Sequence, residues 1–242
     1  MPSDRFHMTP KKIIGKVEFK ENLAGKNWLV RIGFSEEVNF IPGQYSSLKV
    51  NEAGLRRSYS VASLPNGKTI DLLVDVSPMG IGSRFILGLK VGDEVEVLGF
   101  LGSFTVDPSL LFEAKSILFV ATGTGVAPLK TMIEDLLYNK HFPGEVRLVW
   151  GMRHEEDLYW LKEMENINRD FDNFKFDLVL SKPREDWPGL KGHVTDVVRT
   201  LSQNWSQTLA YLCGAKEMII EMNKELIAKG VPETQVFYEK YF

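Results

Sequence analysis

The 242-residue chain carries 29 Lys+Arg against 32 Asp+Glu, and the net charge of −3 excludes the basic face that a nucleic-acid binder needs. Its 44% hydrophobic residues suffice for a sizeable core, and the length fits two domains or one large one. One cysteine excludes an internal disulfide and any cluster held by about four thiolates within this chain, and no run nears the roughly 20 apolar residues of a membrane span. Met1 to Phe6 shows no apolar signal region, so the expectation is a cytoplasmic protein. Residues 11 to 106 read as strands punctuated by turns. Ile13 to Phe19 alternates, Trp28 to Phe34 is rich in strand formers, and Tyr45 to Val50, Ser58 to Ala62, Thr69 to Val76 and Glu94 to Leu98 follow. Pro42-Gly43, Pro65-Asn66-Gly67 and Val91-Gly92-Asp93 mark turns. With one helical insertion near Ser83 to Leu89, this predicts a six-stranded antiparallel β-barrel.

The second half changes period. Ser116 to Ala121 is a continuous apolar run of buried-strand type, and a helix is expected from Val126 to Tyr138. Then come a strand (Val146 to Trp150), a helix (Asp157 to Ile167), a strand (Phe176 to Leu180) and a helix (Val194 to Leu201). A strand (Leu209 to Leu212), a helix (Lys216 to Lys229) and a strand (Gln235 to Tyr238) complete the pattern. Such alternation with apolar strands predicts an α/β unit, a doubly wound parallel sheet. The expected division is 1–112 and 113–242, the boundary falling near Pro108 to Glu113.

Several stretches carry chemistry. In Arg56-Arg57-Ser58-Tyr59-Ser60, strand alternation puts Arg57 and Tyr59 on one face and Ser58 and Ser60 on the other. A forked cation beside a flat ring suits a ligand with a phosphate and an aromatic plane. Gly80-Ile81-Gly82-Ser83-Arg84 opens the helical insertion, where free N–H groups and the dipole attract an anion and Ser83 is expected to cap the helix. Alone, that stretch reads better as a loop with a capped helix. Thr122-Gly123-Thr124-Gly125-Val126-Ala127-Pro128 joins a buried strand to a helix, the place where a parallel sheet binds phosphates. Arg153, Ser181, Lys182 and Arg184 stand at strand ends on the same edge; for such Lys and Arg, solvated surface charge is the commoner fate. Leu212-Cys213-Gly214-Ala215 ends another strand, and a lone buried Cys is usually a small hydrophobe. His7, His141, His154 and His193 are scattered without metal spacing, and Ser60 lacks a Gly-x-Ser-x-Gly elbow.

In this order the motifs resemble the ferredoxin–NADP⁺ reductase superfamily: Arg57-Ser58-Tyr59-Ser60 its Arg-x-Tyr-Ser flavin motif, Gly80 to Ser83 its second pyrophosphate loop, and Gly123-Thr124-Gly125 with Pro128 its pyridine-nucleotide loop. Cys213-Gly214 resembles its Cys-Gly-Pro step, and Glu239-Lys240-Tyr241-Phe242 its terminal Glu-x-Tyr extended by one aromatic. Departures are Phe100 for proline in Gly99 to Phe104, Thr122 for glycine, Lys182 where arginine is usual, and Ala215 for proline. The resemblance implies an FAD-binding barrel followed by an NADP- or NAD-binding sheet, with hydride passing from the nicotinamide to the flavin. Electrons would then go to a carrier such as ferredoxin or flavodoxin; free flavin or a separate oxygenase are alternative acceptors, and a nucleotide-binding regulatory module is the non-enzyme alternative. Arg57, Ser58, Tyr59, Ser60, Gly82 and Ser83 would hold the flavin, with Tyr241 or Phe242 covering part of it. Thr122, Gly123, Thr124, Gly125, Cys213 and Gly214 would face the nucleotide, with Arg153, Ser181, Lys182 and Arg184 at its adenosine end. Glu239, Cys213 and Ser60 would stand at the reacting edge. No metal, nucleic acid or membrane is implied, and the chain is read as a monomer.

Overall fold

The computed structural model describes residues 11–241. Its first sheet is built from β1 (Lys12–Ala24), β2 (Asn27–Val38), β3 (Tyr45–Lys49), β4 (Arg56–Ser60), β5 (Gly67–Asp75) and β6 (Glu94–Leu101). These pair antiparallel in the order β4-β3-β6-β1-β2-β5, and a bridge between Val61 and Leu72 joins the two ends. The Ala62 N–H donates to the Asp71 carbonyl at 2.8 Å across that seam. Inward residues at every second position (Val30 and Ile32, Ile70 and Leu72, Val95 and Val97) fill the interior. Helix α1 (Ile81–Gly88) plugs this barrel with Ile86.

The second sheet is parallel: β7 (Ser116–Thr122), β8 (Glu145–Met152), β9 (Phe174–Leu180), β10 (Leu190–Lys191), β11 (Thr208–Ala215) and β12 (Val236–Tyr241), ordered β10-β9-β8-β7-β11-β12. The apolar run in β7 is explained by its central place, because alternate side chains enter different cores. Ile117 and Phe119 join one cluster with Leu129 and Met164, from α2 (Val126–Glu134) and α3 (Leu161–Asp170). Leu118 and Val120 join another with Val198 and Met222, from α4 (Val194–Thr200) and α5 (Lys216–Lys229). Each such side chain contributes about 1.5–3 kcal/mol by burial. Helices on both faces make the sheet doubly wound. Strand order reverses between β7 and β11, and that is where a ligand crevice opens.

Two local expectations are corrected and the Gly99 to Phe104 stretch is placed. Helix α1 starts at Ile81 with Gly80 as its N-cap and no side-chain cap, so Ser83 does not cap it; Ser83 is buried within the first turn. The helix expected from Asp157 begins only at Leu161, because Trp160 adopts a left-handed φ of 54° while Tyr159 packs edge-on against Trp150. Gly99 and Phe100 lie inside β6, Gly99 with a φ of 36°; the turn itself comes at Gly102.

Candidate functional site

Two neighbouring regions emerge, one on the barrel and one along the sheet edge. On β4, Arg57 is exposed and Tyr59 half-buried. Both face the start of α1: a Cβ added to Gly82 would stand 2.6 Å from the Tyr59 hydroxyl and 3.0 Å from Arg57 Cγ. Burial pushes the Tyr59 phenol up to about 12 against the opposing Arg57 cation, so it stays a neutral ring. The α1 N-terminus, lacking a side-chain cap, keeps its first amides available. Cation, ring and open helix end form one donor set, which fits a flavin carrying phosphate. Ser58 points away and is exposed, and Ser83 is buried.

Ser60, by contrast, is buried and turns toward the last strand of the other sheet. Its hydroxyl donates to Glu239 Oε2 at 3.1 Å and accepts from the Tyr241 hydroxyl at 2.7 Å. Cys213 sits opposite Glu239 in the β11–β12 register. The three residues expected at the reacting edge, distant in sequence, are therefore gathered at one junction. Burial raises the Glu239 carboxyl, with the Ser60 hydrogen bond opposing. Burial, then the Glu239 charge, holds the Cys213 thiol well above its usual value, so it stands as a neutral thiol. Burial is also the main reason the Tyr241 phenol is raised. Phe242 lies outside the described residues.

Along the carboxyl edge of the parallel sheet runs a cleft of about 900 Å³. Thr122, Gly123, Arg153, Ser181 and Lys182 line it. Gly123 has a φ of 55° and nothing within 4 Å of an added Cβ, so its backbone is open to a ligand. Trp150 Nε1 donates to its carbonyl at 3.0 Å and fixes the loop. The donor set and volume of this cleft fit a dinucleotide. Gly125 serves packing instead: it is buried, and an added Cβ would run into the Cys213 carbonyl. Gly214, with a φ of 137°, likewise abuts Thr122, whose hydroxyl accepts from the Ala215 N–H at 2.9 Å. Thr124 is half-buried in the turn between them. Arg184 does not line the cleft; its guanidinium lies 3.6 Å from Glu155 and 3.8 Å from Asp186.

Sequence reasoning missed most of the opposite wall. Lys26, Asn27, Asp75 and Ser77 come from the barrel, and His154, His193 and Thr195 from the sheet half. The His154 ring Nδ1 stands 2.8 Å from the Lys182 carbonyl, tying two strand-end loops together. Gly192 and His193, directly before α4, carried a readable signal as a strand-to-helix step; of the barrel residues, Lys26 and Asn27 were legible as the turn Ala24 to Asn27, but nothing in the sequence set any of the four against a ligand.

The FAD-binding domain model of oxidoreductases matches residues 16–106, and the oxidoreductase NAD-binding domain model matches 119–224. The chain is 32% identical over 209 residues to the toluate 1,2-dioxygenase electron transfer component of Pseudomonas putida, covering 85% of this chain and 60% of that one. It is 32% identical over 213 residues to ferredoxin–NADP reductase B of Sorangium cellulosum, covering 84% and 85%. Among solved structures, a cytochrome P450 reductase from Amycolatopsis superimposes with a TM-score of 0.87 at 28% identity, over 96% of this chain and 70% of that one. A ferredoxin NADP⁺ reductase from Neisseria gonorrhoeae with bound FAD and NADP shares the fold, with a TM-score of 0.84 at 21% identity over 96% and 99%. The chain thus spans about 60% of the toluate component but most of the Sorangium reductase.

Proposed function

The chain belongs to the ferredoxin–NADP⁺ reductase superfamily, and from that premise we propose that it passes a hydride from NAD(P)H to FAD and then electrons to a carrier such as ferredoxin or flavodoxin. Residues 1–112 hold the flavin and 113–242 the nucleotide in this reading. The observation that carries it is the junction where barrel Ser60 meets sheet Glu239, Tyr241 and Cys213, beside a dinucleotide-sized cleft. FAD, when bound, supplies hydride acceptance and release of electrons one at a time. The protein's own contribution is placement and charge. Arg57 and the α1 amides take phosphate, and Tyr59 offers its ring. Glu239, its carboxyl raised by burial and accepting from the Ser60 hydroxyl, is the group placed to exchange a proton at the junction through Ser60. Thr122 and Gly123 orient the nucleotide along the sheet edge. Arg153 and Lys182 favour the 2′-phosphate of NADPH over NADH. Placement of this kind can offset roughly 7–11 kcal/mol of barrier in the best model systems.

A second acceptor is favoured by one observation: several relatives are electron transfer or reductase components of oxygenases. No four-thiolate cluster fits a chain with one cysteine, so electrons leave for a carrier outside these 242 residues in either case. We read the protein as a cytoplasmic monomer; no helix among the described residues is long and apolar enough to cross a membrane.

The test is anaerobic titration of the FAD-loaded protein with NADPH and NADH, followed by a panel of carriers, free flavin and dioxygen. The expected result is loss of flavin absorbance with NADPH at lower concentration than NADH, then recovery with a one-electron carrier. A protein that stays colourless after FAD is added favours a regulatory module and removes the enzymatic reading.

A further inference from the structure

We propose that Lys26, at the tip of the β1–β2 hairpin, is a nucleotide-binding residue whose ammonium holds the pyrophosphate of NAD(P)H across the cleft from the Thr122–Gly123 loop; this rests on reading that cleft as the nucleotide site. The two strands of this hairpin run 13 and 12 residues, about twice the ordinary strand. The extra length carries the tip off the barrel. Leu23 and Ala24 pack into the apolar cluster of the parallel sheet rather than that of the barrel. Gly25, with a φ of 53°, lies so close to the loop after β8 that an added Cβ would stand 2.6 Å from Asp157 Oδ1.

The turn is pinned from several sides. Asn22 Nδ2 donates to the carbonyls of Gly25 and Asn27 at 3.1 and 3.3 Å, and the Val76 N–H donates to the Lys26 carbonyl at 2.9 Å. The backbone of Lys26 is therefore held while its side chain is exposed, and among the described residues its ammonium has no hydrogen bond or ion pair. A cation fixed at its root and idle at its tip, on the wall of a ligand cleft, is placed for an anion.

Charge makes the cation matter. Asp75, Asp157, Glu217 and Glu221 line the same cleft, against Arg153, Lys182 and Lys26. A polyanion entering such a cleft depends on each cation there. Asp75, the nearest barrel carboxylate in the register, is turned onto its own bend, accepting from the Ser77 N–H at 2.7 Å and the Ser77 hydroxyl at 2.8 Å. The adenosine end runs toward Arg153 and Lys182, and the nicotinamide end toward the Ser60–Glu239 junction. The pyrophosphate is the anion left between them, facing the hairpin. Both halves of the molecule thereby grip one ligand.

The experiment compares wild type, Lys26→Met and Lys26→Arg as FAD-loaded proteins, measuring Kd for NADPH and for NADH, Kd for FAD, and Tm. Lys26→Met is expected to weaken both nucleotides by about tenfold and by the same factor, as loss of one charge-assisted contact does. Lys26→Arg restores both to within about threefold, and FAD affinity and Tm stay at wild-type values, since the exposed side chain makes no hydrogen bond or ion pair with the described residues. Unchanged nucleotide affinity overturns the proposal, as does weakening of NADPH alone, which would assign the 2′-phosphate instead. If wild type binds neither nucleotide, the reading of the cleft falls as well, an outcome distinct from failure of Lys26 alone.

Discussion

Glu239 illustrates how a single residue joins stability to chemistry. Its carboxyl is raised by burial, with only the Ser60 hydroxyl favouring the charged form. An acid raised in the folded state still holds its proton at pH values where the unfolded chain, near 4.5, has lost it. Above that pH the native state binds more protons than the unfolded one, so this group's contribution falls as pH rises. Glu239→Gln keeps the shape and removes the titration. The variant should match wild type below about pH 4, where both carry a neutral side chain. It should then become progressively more stable than wild type as pH rises through the raised value. Parallel thermal unfolding from pH 4 to 8 checks this; a gap that does not widen with pH means burial is not taxing the carboxylate.

At the scale of elements, α1 is the piece that brings the flavin residues together, and Gly82 is what lets it sit there. An added Cβ meets the Tyr59 hydroxyl at 2.6 Å and Arg57 Cγ at 3.0 Å, the two side chains proposed to hold ring and phosphate. At the other end of the helix, Lys20 Nζ donates to the carbonyls of Leu87 and Leu89 at 2.6 and 2.9 Å and lies over the Trp28 ring, so α1 cannot simply slide away. Gly82→Ala must therefore displace Tyr59 and Arg57 rather than the helix. FAD affinity should fall about tenfold, comparable to losing one good contact, while the Tm of the flavin-free protein moves by only a few degrees. Equal FAD affinity in the two proteins, measured by fluorescence titration, would show that these side chains do not carry the flavin. Elements of this kind were legible because their signals are local: a continuous apolar run gave β7, alternation gave β1, and a richness in strand formers gave β2. What escaped depended on contacts made elsewhere. Trp160 in a left-handed conformation delays α3, and no pattern within residues 155–161 announces it. Ser83 looked like a cap from its position, yet the helix begins two residues earlier.

The whole molecule raises the question of whether its halves fold as one. The site's two motif clusters were readable, but their meeting was implied only by the family resemblance and not by the residues themselves, since Ser60 and Glu239 are 179 residues apart; the hairpin tip, which reaches the cleft only through strand length, was not anticipated at all. The structure joins the halves in three ways. Ala62, Leu73, Phe104 and Val106 enter the same apolar cluster as Ile117 and Phe119, so the core is continuous across the division. The hairpin tip packs on the loop after β8, with Leu23 and Ala24 in that cluster. Ser60 links to Glu239 and Tyr241. A shared apolar core is the strongest of these couplings, because it cannot be exposed on one side alone. Calorimetry should accordingly show one transition with matching calorimetric and van't Hoff enthalpies, the mark of a single cooperative unit. Ser60→Ala removes two hydrogen bonds worth roughly 1 kcal/mol each and should lower Tm by about 4–8 °C, yet leave the transition single. Two separate transitions in the wild type would mean that the continuous core does not bind the halves. Two appearing only in Ser60→Ala would mean that the polar junction, and not the core, makes them one.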